Sequence, residues 1–341
     1  MFAAVAVTAA AVIATAGLLL VDLYLHHRAE RSAGLNRWGY RGPVVGRKAA
    51  GEQRIAVLGG STVFGYGVFQ DQTLPAKVEQ DLRLQVKSPI SVVNLGFNNE
   101  GAFALQPTLV DFAYLEIDVA VFYTGYNDWW GDVGVNTAVY RHASPVFRMT
   151  GYYPILPLVL KEKAIAYRSG GQLAAAENAA LLGGPKPVFT PSFPERASAT
   201  ALEAAVAVSD RLGSQLDRLS RRPPLPVQAS AAGCADPWVS YCESLYQAIR
   251  HARSKGIKVL VALPPLMTKS SPARHADQQR ATVEMVARHF ADDAAVRIAD
   301  LSRAIDLEDR SYSFDEMHLD QDGNAVVARA LTPHVRAMIA E

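Results

Sequence analysis

The chain has 341 residues, half of them apolar and a fifth charged, a globular composition that excludes wholesale disorder. Thirty-four Lys and Arg stand against 33 Asp and Glu, and a net charge of +1 sets up no basic field to recruit nucleic acid. Two cysteines exclude a disulfide scaffold and a four-thiolate zinc site.

Residues 1–21 contain no charged side chain, and the apolar run continues to Leu25 before meeting His26, His27, Arg28 and Arg31. A helix needs about 20 such residues to cross a bilayer core. A cleaved signal peptide would show a basic start and a small-x-small site after the apolar stretch, and neither is found there. Residues 1–25 are therefore expected to be an uncleaved transmembrane anchor, with residues 2–25 in the membrane. Its orientation is argued two ways. Arg28, Arg31, Arg37, Arg41, Arg47 and Lys48 all lie after the span, which by the positive-inside rule keeps the next domain in the cytoplasm. Cys234 and Cys242, eight positions apart, would instead close a small disulfide in an oxidising compartment. The close spacing of the cysteines favours export.

Residues 26–53, polar and holding WGYRGPVVG, read as a tether. Beyond them short β-rich runs alternate with helical segments. Residues 54–58, RIAVL, run apolar from Ile55 and end in Gly59-Gly60, the pattern of a strand buried on both faces. Residues 73–85 read as a helix with Thr73 as N-cap and Pro75 in its first turn. Next come a strand at 90–95, a helix at 102–115 and a strand at 118–123. Between 129 and 235 the alternation breaks into an Ala-rich stretch, a helix near 199–219 and the Pro-rich RRPPLP, too long for a plain loop and read as an insertion. The alternation then resumes with helix 238–255, strand 257–263, helix 276–291, strand 296–301 and helix 324–339. This order predicts a parallel sheet with helices on both faces, residues 54–341 forming one domain around the insertion.

Ligands of open parallel sheets bind outside the carboxyl ends of the strands. There the chain places Gly59-Gly60-Ser61-Thr62, then NLGFNNEG from Asn94 to Gly101, then Gly125-Tyr126-Asn127-Asp128, and finally Asp315-Glu-Met-His318. Each piece alone has a plain reading as a turn or a cap. A nucleophile elbow would need Gly at Val63, no Lys completes a P-loop, and GxGxxG does not thread through GGSTVFGYG. A hydroxyl, an amide and an Asp/His pair on one rim are more telling together than apart.

These blocks resemble those of the SGNH (GDSL-type) hydrolase superfamily, over residues 54–126 and 257–340. The resemblance implies a flavodoxin-like three-layer α/β/α sandwich with a five-stranded parallel sheet, preceded here by one transmembrane helix. It further implies Ser61 as nucleophile, His318 as general base and Asp315 as the group orienting it. The Ser61 amide, the Asn127 side chain and a second-block glycine would form the oxyanion hole. Two departures stand out: Gly60 replaces the family's Asp, and the stretched second block offers Gly96 or Gly101. Gly101 opens the next helix, where an N–H is free, and is the preferred donor.

Such a site needs no cofactor, and the histidines show no metal-ligand spacing such as HExxH. Trp129, Trp130, Tyr140, Phe147, Tyr152 and Tyr153 in the insertion are open to two readings, a substrate lid or the insertion's own core. The expected activity is hydrolysis of an O-acyl ester, an acetyl group foremost, on a saccharide or lipid partner. Acyl transfer to a glycan acceptor and a noncatalytic glycan-binding module are the alternatives.

Overall fold

The computed structural model describes residues 2–29, 34–128, 136–172, 189–219, 231–267 and 272–339. Helix α1 (Phe2–Ala29) opens the chain, followed by β1 (Gln53–Gly59), α2 (Ser61–Phe64), α3 (Leu74–Gln85), β2 (Ile90–Asn94), α4 (Leu105–Asp111) and β3 (Val119–Tyr123). Then come α5 (Pro145–Thr150), α6 (Leu156–Arg168), α7 (Phe193–Leu219), α8 (Val239–Ser254), β4 (Lys258–Leu263), α9 (Pro272–Phe290), β5 (Val296–Asp300) and α10 (Gln321–Ile339). They fall into two compact units, Met1–Arg28 with Ser144–Pro223, and Ala29–Ala143 with Pro224–Glu341.

The larger unit is the α/β fold. Its five strands are all parallel in the order β2-β1-β3-β4-β5, which is the flavodoxin-like order. Ile55 pairs with Val119 and Val92, and Gly59 with Tyr123, so β1 and β3 end side by side. Every residue of β3 is buried, as are Ile55 to Leu58 of β1, because helices cover both faces. Helix α3 packs against α10, and α4 against α8. The chain turns one way after β1 and the other way after β3, which makes the gap at their carboxyl ends the switch point where such folds hold ligands.

Local chemistry sets the element ends. Thr73 caps α3 by accepting the Ala76 N–H at 3.4 Å, as its sequence predicts. Helix α10 starts at Gln321, three residues before the expected 324, because Asp320 accepts the Gly323 N–H at 2.8 Å. The expected helix 102–115 is in fact three pieces: 3₁₀ turns at Ala102–Ala104 and Ala113–Leu115 flank α4.

Residues 34–48 correct the tether reading. Tyr40 and Arg41 are buried, Tyr40 packs edge-on to Phe112, and Arg41 bridges Asn94 of β2. Lys48 reaches Asp118 at 2.6 Å, and the buried Arg54 donates to Glu52, Leu115 O and Gly46 O. This segment is part of the fold. Cys234 and Cys242 form a disulfide that ties the residues before α8 to its first turn.

The smaller unit joins α1 to the middle of the insertion. Residues Thr8–Ala29 of α1 form a helix long and apolar enough to cross a membrane, with mean hydropathy 1.9. Near its end, Asp22 accepts the Ile155 N–H at 3.0 Å and the Leu156 N–H at 2.5 Å, capping α6, while His26 bonds Tyr153 O at 2.9 Å. Helices α6 and α7 pack together.

Candidate active site

Ser61 lies two residues past β1, as the first residue of the four-residue α2, and is 8% exposed. His318 and Asp315 stand on the loop between β5 and α10, which is closed by Phe314 N–H donating to His318 O at 2.9 Å. The three side chains form one hydrogen-bonded chain. Ser61 Oγ is 2.7 Å from His318 Nε2, and His318 Nδ1 is 2.7 Å from Asp315 Oδ2. A carboxylate only accepts, so Nδ1 carries the ring proton and Nε2 is left to accept from the serine hydroxyl. The other carboxylate oxygen, Oδ1, accepts the His318 and Met317 N–H groups at 2.8 and 3.1 Å. Burial alone would raise the Asp315 carboxyl, but the bonds from the His318 ring and amide, the His318 charge and the Met317 amide together hold it below 3.8. The ring of Tyr66, from the turn after α2, sits 5.0 Å from the His318 ring.

Asn127 lies just past β3 and donates from Nδ2 to Glu100 O at 2.9 Å, leaving its second N–H for another acceptor. It lies hard against the first block: a Cβ on Gly60 would come within 2.3 Å of Asn127 Nδ2 and 2.8 Å of Glu100 O. Here Gly60 is therefore dictated by close approach. The two candidate second-block glycines separate clearly. Gly96 spends its N–H on Asn94 Oδ1 at 3.0 Å, which removes it as an oxyanion donor. The Gly101 and Ser61 N–H groups donate to no acceptor among the described residues.

Sequence reasoning missed the residues that hold Gly101 in place. Asp128, which alone reads as part of a turn, is buried and takes the Ala102 N–H at 2.9 and 3.1 Å on its two oxygens, with the Thr124 hydroxyl at 3.2 Å. A Cβ on Gly101 would meet Asp128 Oδ1 at 2.4 Å. Glu100, next to Gly101, pairs with the buried Arg141 at 3.4 Å. Only its place in the block Gly125-Tyr126-Asn127-Asp128 pointed to Asp128; nothing in the sequence pointed to the Glu100–Arg141 pair.

Burial pushes the Asp128 carboxyl up to about 7, against the pull of the Ala102 N–H and the Thr124 hydroxyl. Because this lies above the unfolded value near 3.8, the fold holds a proton that the unfolded chain releases. The contribution of Asp128 to stability therefore falls as pH rises from about 4 through about 7. Asp128→Asn keeps an acceptor for Ala102 and removes that titration. Thermal melts across this range should show the variant gaining stability relative to wild type as pH rises, and parallel curves would refute the assignment.

Tyr152 donates its hydroxyl to Asp22, and Tyr153 is buried with its ring 5.9 Å from Phe147, so both serve the smaller unit's own packing. Trp129 and Trp130 lie outside the described residues. Among the described residues no cluster of His, Cys, Asp and Glu could hold a metal ion.

No protein-family model matches the chain, and no curated protein matches it. It is similar to solved structures at low identity. One is a lipolytic protein of the G-D-S-L family from Veillonella parvula, at 10% identity and TM-score 0.43 over 82% of this chain and 97% of that one. Another is a family 3 carbohydrate esterase from Clostridium thermocellum, at 11% identity and TM-score 0.43 over 85% and 98%. A third is a psychrotrophic esterase from a Pseudoalteromonas species, at 8% identity and TM-score 0.44 over 85% and 100%. By its own strand order and the chain Ser61–His318–Asp315 at the switch point, this protein is a flavodoxin-like α/β fold with a serine–histidine–aspartate constellation on its rim.

Proposed function

We propose that the chain is an SGNH-type serine esterase. Its reaction would be hydrolysis of an O-acyl ester, foremost an acetyl group, on a saccharide or lipid hydroxyl. The observation that carries this reading is the continuous run of two 2.7 Å hydrogen bonds from Ser61 through His318 to Asp315. A serine hydroxyl becomes a nucleophile when an imidazole takes its proton, and the imidazole returns that proton to the leaving alcohol. The tetrahedral oxygen would be met by the Ser61 and Gly101 N–H groups and the free N–H of Asn127.

The membrane-length helix α1 supports an anchored enzyme, and the Cys234–Cys242 disulfide supports an oxidising compartment outside the cytoplasm. Acyl groups on envelope glycans or lipids are the esters such an enzyme would meet.

A fluorophosphonate should label the full-length protein on Ser61, located by peptide mass, and p-nitrophenyl acetate should turn over. Absence of both would sink the esterase reading. Acetate released from an acetylated polysaccharide, compared with acyl release from lipid vesicles, selects the acceptor. Asn127→Ala should lower kcat by about 10²–10³-fold with little change in KM, since its donor acts on charge that develops only in the transition state. An unchanged kcat would remove Asn127 from the oxyanion hole.

A further inference from the structure

The turn that carries Ser61 is clasped by a side chain that the serine–histidine–aspartate chain does not use. Arg41, from the segment after α1, is 3% exposed. Its Nη1 donates to Phe64 O at 2.7 Å and Gly65 O at 2.6 Å, and its Nη2 donates to Val68 O at 2.5 Å. The guanidinium carbon lies 4.6 Å from the centroid of the Phe64 ring. Asn94 completes the clasp, donating from Nδ2 to Val63 O at 2.9 Å while its own carbonyl accepts the Arg41 N–H at 3.2 Å.

The physical need for such a clasp is plain. Helix α2 has four residues, too few to hold itself, and its last carbonyls have no partner within the helix. A cation at a helix carboxyl end satisfies those carbonyls and complements their partial charge. Burial lowers the Arg41 guanidinium to about 10, so the fold keeps a cation where water would solvate it better. What the turn delivers is catalytic geometry. Ser61 at its start meets His318 Nε2, Ser61 O accepts the Gly65 and Tyr66 N–H groups at 2.9 and 3.0 Å, and Tyr66 lies against the His318 ring.

We infer that Arg41 is a positioning residue for the nucleophile: its guanidinium fixes the 61–68 turn so that Ser61 and Tyr66 meet His318 together. The inference rests on the esterase reading of Ser61. It also ties the segment next to the N-terminal helix directly to the reacting serine.

The test uses full-length protein in detergent with Arg41→Lys and Arg41→Ala. Lys keeps the charge and most of the stem but presents no fork for several carbonyls. Misplacing a reacting group by an ångström costs roughly 10²-fold. Both variants should therefore lose about that factor in kcat and in the rate of fluorophosphonate labelling, with KM unchanged. Ethylguanidinium should restore part of the Arg41→Ala loss by filling the vacated site. Amides of Gly65 and Tyr66 should exchange faster in Arg41→Lys, while those of β1 and β3 keep wild-type protection. If Arg41→Ala does not fold, Arg41→Lys decides. Labelling and exchange at wild-type rates in folded Arg41→Lys would overturn the inference. Faster exchange at Gly65 and Tyr66 in a protein whose wild type is never labelled would overturn the esterase reading and leave the clasp supported.

Discussion

Ser61→Ala is expected to lower kcat for an ester substrate by about 10⁶-fold, His318→Ala by about as much, and the double variant by no more than either. The reason is that in the proposed mechanism the two groups perform one act. The hydroxyl is a weak nucleophile until Nε2, 2.7 Å away, takes its proton, and the imidazole gains nothing by being there without the hydroxyl. What would remain in each variant is catalysis by the proposed oxyanion donors and by binding, which do not depend on either side chain. The fold should survive. Among the described residues Ser61 Oγ bonds only to His318, and losing one such bond costs about 1 kcal/mol. Steady-state turnover of p-nitrophenyl acetate by the two single variants and the double variant measures this directly. Losses that multiply in the double variant would show that Ser61 and His318 act separately, and the shared mechanism would fall.

The parts of this protein legible in its sequence are those with a periodic or terminal signature. Strands β1 and β3 are buried on both faces, so they read as unbroken apolar runs, and the residues just past each run lie on the rim. That is why Ser61 and Asn127 stand out in the sequence alone, whereas Asp315 and His318 stand out by their three-residue spacing before the last helix. Thr73 is legible because an N-cap acts on a neighbour three residues away. The illegible parts act over long separations or on partners common to every residue. Asp128 takes the Ala102 N–H at the start of the first 3₁₀ turn, 26 positions back. Arg41 bonds backbone carbonyls, which leave no mark in a sequence, so WGYRGPVVG looks like a tether when it is a clasp. Tyr152 and Tyr153 illustrate the same limit from the other side: aromatic residues have one composition whether they form a lid or a core. Gly96 and Gly101 separate only in three dimensions, where the Asn94 side chain already holds one of the two amides.

Asp315→Asn is expected to reduce kcat by about 10⁴-fold near neutral pH while leaving KM and the loop in place. The geometry makes this a clean substitution. Oδ1 of Asp315 accepts two backbone N–H groups, from His318 and Met317, and an asparagine oxygen can accept both. That leaves the asparagine NH₂ facing His318 Nδ1, where it can only donate. The ring then carries its proton on Nε2, pointing at Ser61, and has no lone pair for the hydroxyl proton. The carboxylate's charge, which would stabilise the imidazolium formed during attack, is lost as well. The stability consequence has a definite sign. A carboxyl held below 3.8 in the fold adds stability above that pH and loses it as pH falls through the folded value. The variant lacks that contribution, so it should be less stable than wild type near neutrality, and the gap should close in acid. Asp315 is half exposed, and solvent weakens its electrostatic contribution more than its control of the tautomer. The kinetic loss therefore measures chiefly the tautomer. A loss of only about tenfold, with the loop intact by exchange protection, would mean that Ser61 and His318 work as a dyad and that Asp315 serves the loop alone.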